Sequence, residues 1–92
     1  MNLIKLIWDF RGPVSKKTAH HFHSHLKEFL ALEKMYEYKT GLEENSDHHS
    51  IVFVITNTED LDFFKKKLKP NRGQKVSLFT SLYYFIFTNL FK

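Results

Sequence analysis

Four of the six histidines of this chain fall within seven positions, in "AHHFHSH" from Ala19 to His25. Imidazole can ligate a metal ion or move a proton near neutral pH, and spacing decides which. Positions four apart share one face of a helix, so His21 and His25 can present two imidazoles to one divalent cation, zinc above all. On the same wheel His23 falls on the opposite flank of the apolar stripe and His20 faces away. Two ligands do not complete a site. Asp9 is the expected third, because a helix returning antiparallel to the first segment lays its amino-terminal half near that segment's end. His48 and His49 are expected toward the far end of the helix, ahead of a strand parallel to the first. A hydrolytic zinc site would carry Glu after the first histidine, as H-E-x-x-H; Phe22 stands there instead. An acid–base role lacks a nucleophile at a workable spacing. The plain alternative is a set of partly exposed histidines bordering a core.

A second constellation pairs Arg11, where the first strand turns into a helix, with Asn57, expected at the corresponding end of a parallel central strand. A guanidinium beside free backbone N–H groups at a helix amino terminus binds anions. In this respect the pair resembles the acylphosphatases, plait proteins that use an Arg and an Asn. Their glycine-rich loop is missing before Arg11 and "FRGPVSKKT" is a short match, so that activity is not expected.

From Lys65 to Lys75 there are six basic residues and no acid, while the whole chain carries +4, so the other residues together carry −2. The basic character is one patch, placed where cations at a helix carboxyl end favour the macrodipole. RNA readers built on a plait expose aromatics in the pattern K/R-G-F/Y-G/A-F-V-x-F/Y. "SIVFVITN" supplies Phe53 but neither the glycine nor the basic residue, and nucleic acid is not the expected partner.

The elements that must position these residues follow from hydrophobic period. "LIKLIWDF" sets Ile4, Leu6, Trp8 and Phe10 on one side of a strand, with Leu3, Lys5, Ile7 and Asp9 on the other. "RGPV" breaks it. Residues from about 14 to 34 predict an amphipathic helix whose stripe is Ala19, Phe22, Leu26, Phe29 and Leu30. "MYEYKTG" predicts an edge strand, "GLEENSD" a hairpin connection and "SIVFVITN" a central strand apolar on both faces. "NTEDLDFFKKKLKP" predicts a short helix capped by Asn57 or Thr58 and stopped by Pro70. "QKVSLFTS" is the expected fourth strand, beside the first.

The order is that of an α+β, ferredoxin-like β-α-β-β-α(-β) sandwich, two helices on one face of a small antiparallel sheet. With 92 residues the chain fits one domain, residues 1–75, followed by an apolar segment, 76–92. Ten Phe, four Tyr and one Trp predict an aromatic core, with Trp8, Phe22, Leu26, Phe29, Phe53 and Leu61 in or near it. "KLIWDFRGP" leading into "HHFHSHLKEF", with "KPNRG" later, resembles small uncharacterised bacterial proteins of α/β-plait type over residues 3–73. The resemblance implies a fold rather than an activity.

From Val76 to Phe91 there is no charge, and eleven of sixteen residues are Val, Leu, Ile, Phe or Tyr. A bilayer-spanning helix needs roughly 20 apolar residues. A core strand with an extension, a dimer surface, membrane contact and an abnormal end are the readings, in that order. The absence of cysteine excludes disulfides, zinc thiolates and a thiol nucleophile, and "MNLIKLIWDF" lacks the pattern of a signal peptide; the expected address is cytoplasmic.

The expected function is a non-enzymatic ligand-binding or protein-interaction module. It is expected to be a homodimer through the second sheet face, where Leu3, Ile7 and one side of "IVFVI" are apolar. The alternatives are a dimeric α/β-barrel-type enzyme for a small molecule, with Trp8, His21 and His25 lining a cavity, and a histidine-based metal-binding protein.

Overall fold

The computed structural model describes residues 3–77 and 85–89. Within them the chain is α+β. Strand β1 (Leu3–Arg11) leads into helix α1 (Ser15–Leu32), then strands β2 (Lys39–Ser46) and β3 (His49–Asn57). A 3₁₀ turn (Thr58–Asp60), helix α2 (Leu61–Leu68), strand β4 (Arg72–Ser77) and strand β5 (Phe85–Asn89) follow. All pairings are antiparallel, in the order β2-β3-β1-β4-β5.

β3 therefore runs against β1, not parallel to it, with Leu3 opposite Asn57 and Arg11 opposite His49. The reason lies in the connections. The β1-α1-β2 crossover skips one position in the sheet, and β3 fills the gap as the return limb of the β2–β3 hairpin. The hairpin itself also differs from expectation. "GLEENS" is strand rather than connection, and the turn shrinks to Asp47 and His48. Tyr36 and Tyr38 lie ahead of β2, in the chain that leaves α1 through Lys34 at φ 58°. A polar edge strand forms because β3, rich in branched residues, supplies the ladder and only one edge of β2 is paired.

The helices behave as their sequences predict. Gly12, at φ 106°, makes the turn a side chain would strain, and its N–H donates to the His48 carbonyl at 2.8 Å. The Asn57 side chain accepts from the Asp60 N–H at 3.0 Å, while Lys65, Lys66 and Lys67 occupy the last turn of α2. Both helices cover one sheet face. Ile4, Leu6 and Trp8 of β1 and Val52 and Val54 of β3 form a continuous buried cluster with Ala19, Leu26 and Leu30 of α1 and Phe64 of α2. Phe22, Phe29 and Leu61 pack against it, as expected.

Phe53 does not belong to this cluster. It stands opposite Ile7, on the other face, with its ring across Gly41 and under Lys5, whose Nζ lies 4.4 Å from the ring centroid. A Cβ at Gly41 would come within 2.4 Å of that ring, so the glycine is what lets the ring lie flat across β2. On this second face Ile7, Ile51, Ile55 and Val76 are buried within the chain.

β4 begins two residues earlier than expected and takes the expected place beside β1. β5 extends the sheet beyond it. The remaining tail readings, over residues 78–84 and 90–92, lie outside the described residues. Among the described residues no helix is long and apolar enough to cross a membrane.

Candidate functional site

The densest polar cluster forms where β1 ends, on the face away from the helices. Alternation along β1 turns Asp9 to that face, and the antiparallel registers bring it diagonally beside His49 of β3 and Arg72 of β4. Arg72 grips the carboxylate with a fork, Nε donating to Oδ2 at 2.8 Å and Nη2 to Oδ1 at 3.0 Å. His49 Nε2 meets Oδ1 at 2.9 Å, and its Nδ1 faces Asn45 Nδ2 at 3.3 Å. One tautomer satisfies both neighbours: Nε2–H donates to Asp9, and Nδ1 accepts from Asn45. The backbone joins in, with Asp9 N–H donating to Asn71 Oδ1 at 2.7 Å and Asn71 N–H donating to the Ile7 carbonyl at 2.9 Å.

The Asp9 side chain is only 15% exposed. Its hydrogen bond from Arg72 holds its carboxyl below the ordinary 3.8, against burial, which pushes the other way, and with the help of His49. The same contact raises Arg72. The Asp9 carboxylate thus accepts three hydrogen bonds from two neighbouring strands, and with its backbone N–H bond to Asn71 it acts as a clamp across three strands and the α2–β4 connection. It is not a third ligand for the helix histidines. Among the described residues no group of three or more His, Asp or Glu side chains converges as for a metal ion.

The histidines of α1 separate by face. His20 Nε2 meets Glu44 Oε2 of β2 at 2.7 Å, and His23 Nε2 meets Thr40 Oγ1 at 3.1 Å. His21 and His25 share the exposed flank that their spacing predicts, with Nε2 atoms 2.8 Å apart. They are remote from Trp8 in role: Trp8 packs inward on Phe22, while both imidazoles face solvent. Burial lowers His23 below the ordinary 6.5, with Lys27 and His20 adding to the effect. The unfolded chain then takes up a proton that the folded chain resists, so this site costs stability as pH falls from 6.5 through the lowered folded value. His23→Gln is expected to flatten the thermal-stability profile between about pH 7 and about pH 5 relative to the parent. Parallel melting curves across that range check it.

Arg11 and Asn57 do not form an anion site. They stand at opposite ends of the β1–β3 ladder, eight residues or about 27 Å apart. Arg11 is 70% exposed, with Nη2 4.0 Å from Asp9 Oδ1, and Asn57 is engaged as the cap of the 3₁₀ turn.

Residue pattern alone does not single out Asn45, Asn71 or Arg72. Arg72 was masked by the lysine run, although it differs in following the Pro70–Asn71 turn and so opening a strand. A parallel β3 would put His49 at the other end of the sheet; the antiparallel register puts it beside Asp9. No protein-family model matches the chain, and no curated protein or solved structure matches it significantly.

Proposed function

We propose that this chain is a non-enzymatic interaction module on a ferredoxin-like plait, and that its partner is a second copy joined through the outer edge of β2. The strand order β2-β3-β1-β4 with both helices on one face supports the plait. The engagement of Asp9 with Arg72 and His49 supports a binding rather than a catalytic role, because this carboxylate and its histidine hold strands together.

The observation that carries the pairing is the self-complementarity of β2. It is the outermost strand of the sheet order, and Lys39 and Glu43 are exposed on one face with Gly41 midway between them. An antiparallel copy laid along that edge about a two-fold axis at Gly41 sets Lys39 opposite the partner's Glu43, and Glu43 opposite the partner's Lys39. Thr40 then meets the partner's Leu42. Opposite charges directly across a ladder stabilise it by about 0.2–1 kcal/mol each, and like charges oppose it similarly. The register irregularity between Glu44 and Ser46 ends the regular stretch just beyond this segment. An isologous contact of this kind closes at two copies.

Sedimentation equilibrium of the full chain at tens of micromolar tests it. A dimer is expected, with its dissociation constant raised about tenfold in Lys39→Glu and restored when Glu43→Lys is added. A monomer throughout, or a dimer indifferent to both changes, overturns the reading.

A further inference from the structure

Among the exposed histidines of α1, His21 and His25 meet in a way that His20 does not. His20 is held by Glu44, His23 by Thr40 and His49 by Asp9, whereas His21 and His25 turn their Nε2 atoms on each other. Their rings lie 4.6 Å apart between centroids and 30° from parallel. Zinc–imidazole bonds are about 2.05 Å, so nitrogens 2.8 Å apart subtend about 86° at a shared ion. Opening the pair by about 0.5 Å, a small side-chain rotation at an exposed position, reaches the tetrahedral angle.

Glu28, one turn on from His25, places Oε1 3.4 Å from His25 Nδ1. A carboxylate on that side favours the Nδ1–H tautomer, in which the His25 Nε2 lone pair accepts from His21 Nε2–H; with an ion between them, His21 carries its proton on Nδ1 instead and both Nε2 lone pairs face the ion. The same outer carboxylate orients metal-bound histidines generally. Imidazole donors suit borderline divalent cations such as zinc, copper and nickel, and not magnesium or calcium.

We propose that His21 and His25 form a chelating site for a borderline divalent cation, zinc in the first place, with Glu28 orienting His25 and water filling the remaining positions. The site differs from the one its sequence suggests in excluding Asp9. It is independent of β2 pairing, since it lies on the exposed flank of α1.

The test is a zinc titration by calorimetry on untagged, chelator-treated full-length chain, with long-range ¹⁵N–¹H spectra of the imidazoles. Saturable binding is expected, with the Nε2 resonances of His21 and His25 moving and those of His20 and His23 staying. Losing one imidazole removes the advantage of holding the second at the ion, so His21→Ala and His25→Ala should each weaken binding at least about tenfold. Glu28→Gln should weaken it less, and His20→Ala should leave it unchanged. Both ligand positions are exposed, and circular dichroism checks that the variants fold. Absence of saturable binding at millimolar zinc, or affinity that survives the double His21→Ala and His25→Ala variant, overturns the proposal.

Discussion

Trp8→Ala is expected to cost about 3–5 kcal/mol, the largest loss of any single truncation argued for this chain. Trp8 is buried at the centre of β1 with its ring 5.1 Å from Phe22 of α1. Its indole N–H donates to the Leu68 carbonyl at 2.8 Å, so it also reaches the last residue of α2. One side chain thus holds both helices to the sheet. Alanine would leave a large cavity between layers and strip a partner from the helix carboxyl end. A chain of this length has a total stability of roughly 5–14 kcal/mol, so the loss is a large share of it. Trp8→Phe separates the two effects. It keeps most of the ring packing and loses the indole donor, for about 1–2 kcal/mol. Urea unfolding followed by far-ultraviolet circular dichroism measures both, since the only tryptophan is the one removed. A Trp8→Ala loss under about 1 kcal/mol would mean that the site collapses freely and that neither helix depends on it.

The helix face of the sheet was legible because period and burial agree there. Ile4, Leu6 and Trp8 alternate with Lys5, Ile7 and Asp9, and the stripe of α1 recurs at helical spacing; local pattern and tertiary burial point the same way. Phe53 shows the limit of that reading. "IVFVI" is apolar at every position, so period cannot say which side chains face the helices, and only the register with Ile7 decides. β2 is hard to read for the opposite reason. "GLEENS" has no apolar alternation to announce a strand, and it becomes one through pairing with β3, a non-local effect.

The candidate sites divide along the same line. The His21–His25 pair was visible because i, i+4 neighbours meet on any helix, whatever surrounds them. The Asp9 cluster was not, because its members come from four separate segments. His49, Asn71 and Arg72 meet Asp9 only once the direction of β3 and the start of β4 are set. Reversing one strand moved His49 from the far end of the sheet to within a hydrogen bond of Asp9, and moved Asn57 away from Arg11.

Asp9→Ala should lose about 3 kcal/mol, and the loss should depend on pH in a definite direction. The carboxylate takes the Arg72 fork and the His49 N–H in a largely buried position, so its removal strands a guanidinium and an imidazole that no longer have an acceptor. Because Asp9 titrates below its ordinary 3.8 in the folded chain, the unfolded chain binds its proton first on acidification. Its stabilisation is complete above 3.8 and drains away as pH falls through the lower folded value. The gap between parent and Asp9→Ala should therefore be wide near neutrality and close progressively in acid. Arg72→Ala alone should cost a similar amount, but Asp9→Ala combined with Arg72→Ala should cost less than the two losses added, by about 1–3 kcal/mol, because the second change removes a charge the first left unpaired. A double-mutant cycle by urea unfolding at neutral pH and again near the acid limit of the native state measures both effects. Strict additivity would show that the fork adds nothing beyond its separate parts. A gap that stays constant into acid would show that Asp9 gains no protection from its proton in the fold, and the clamp would then be packing alone.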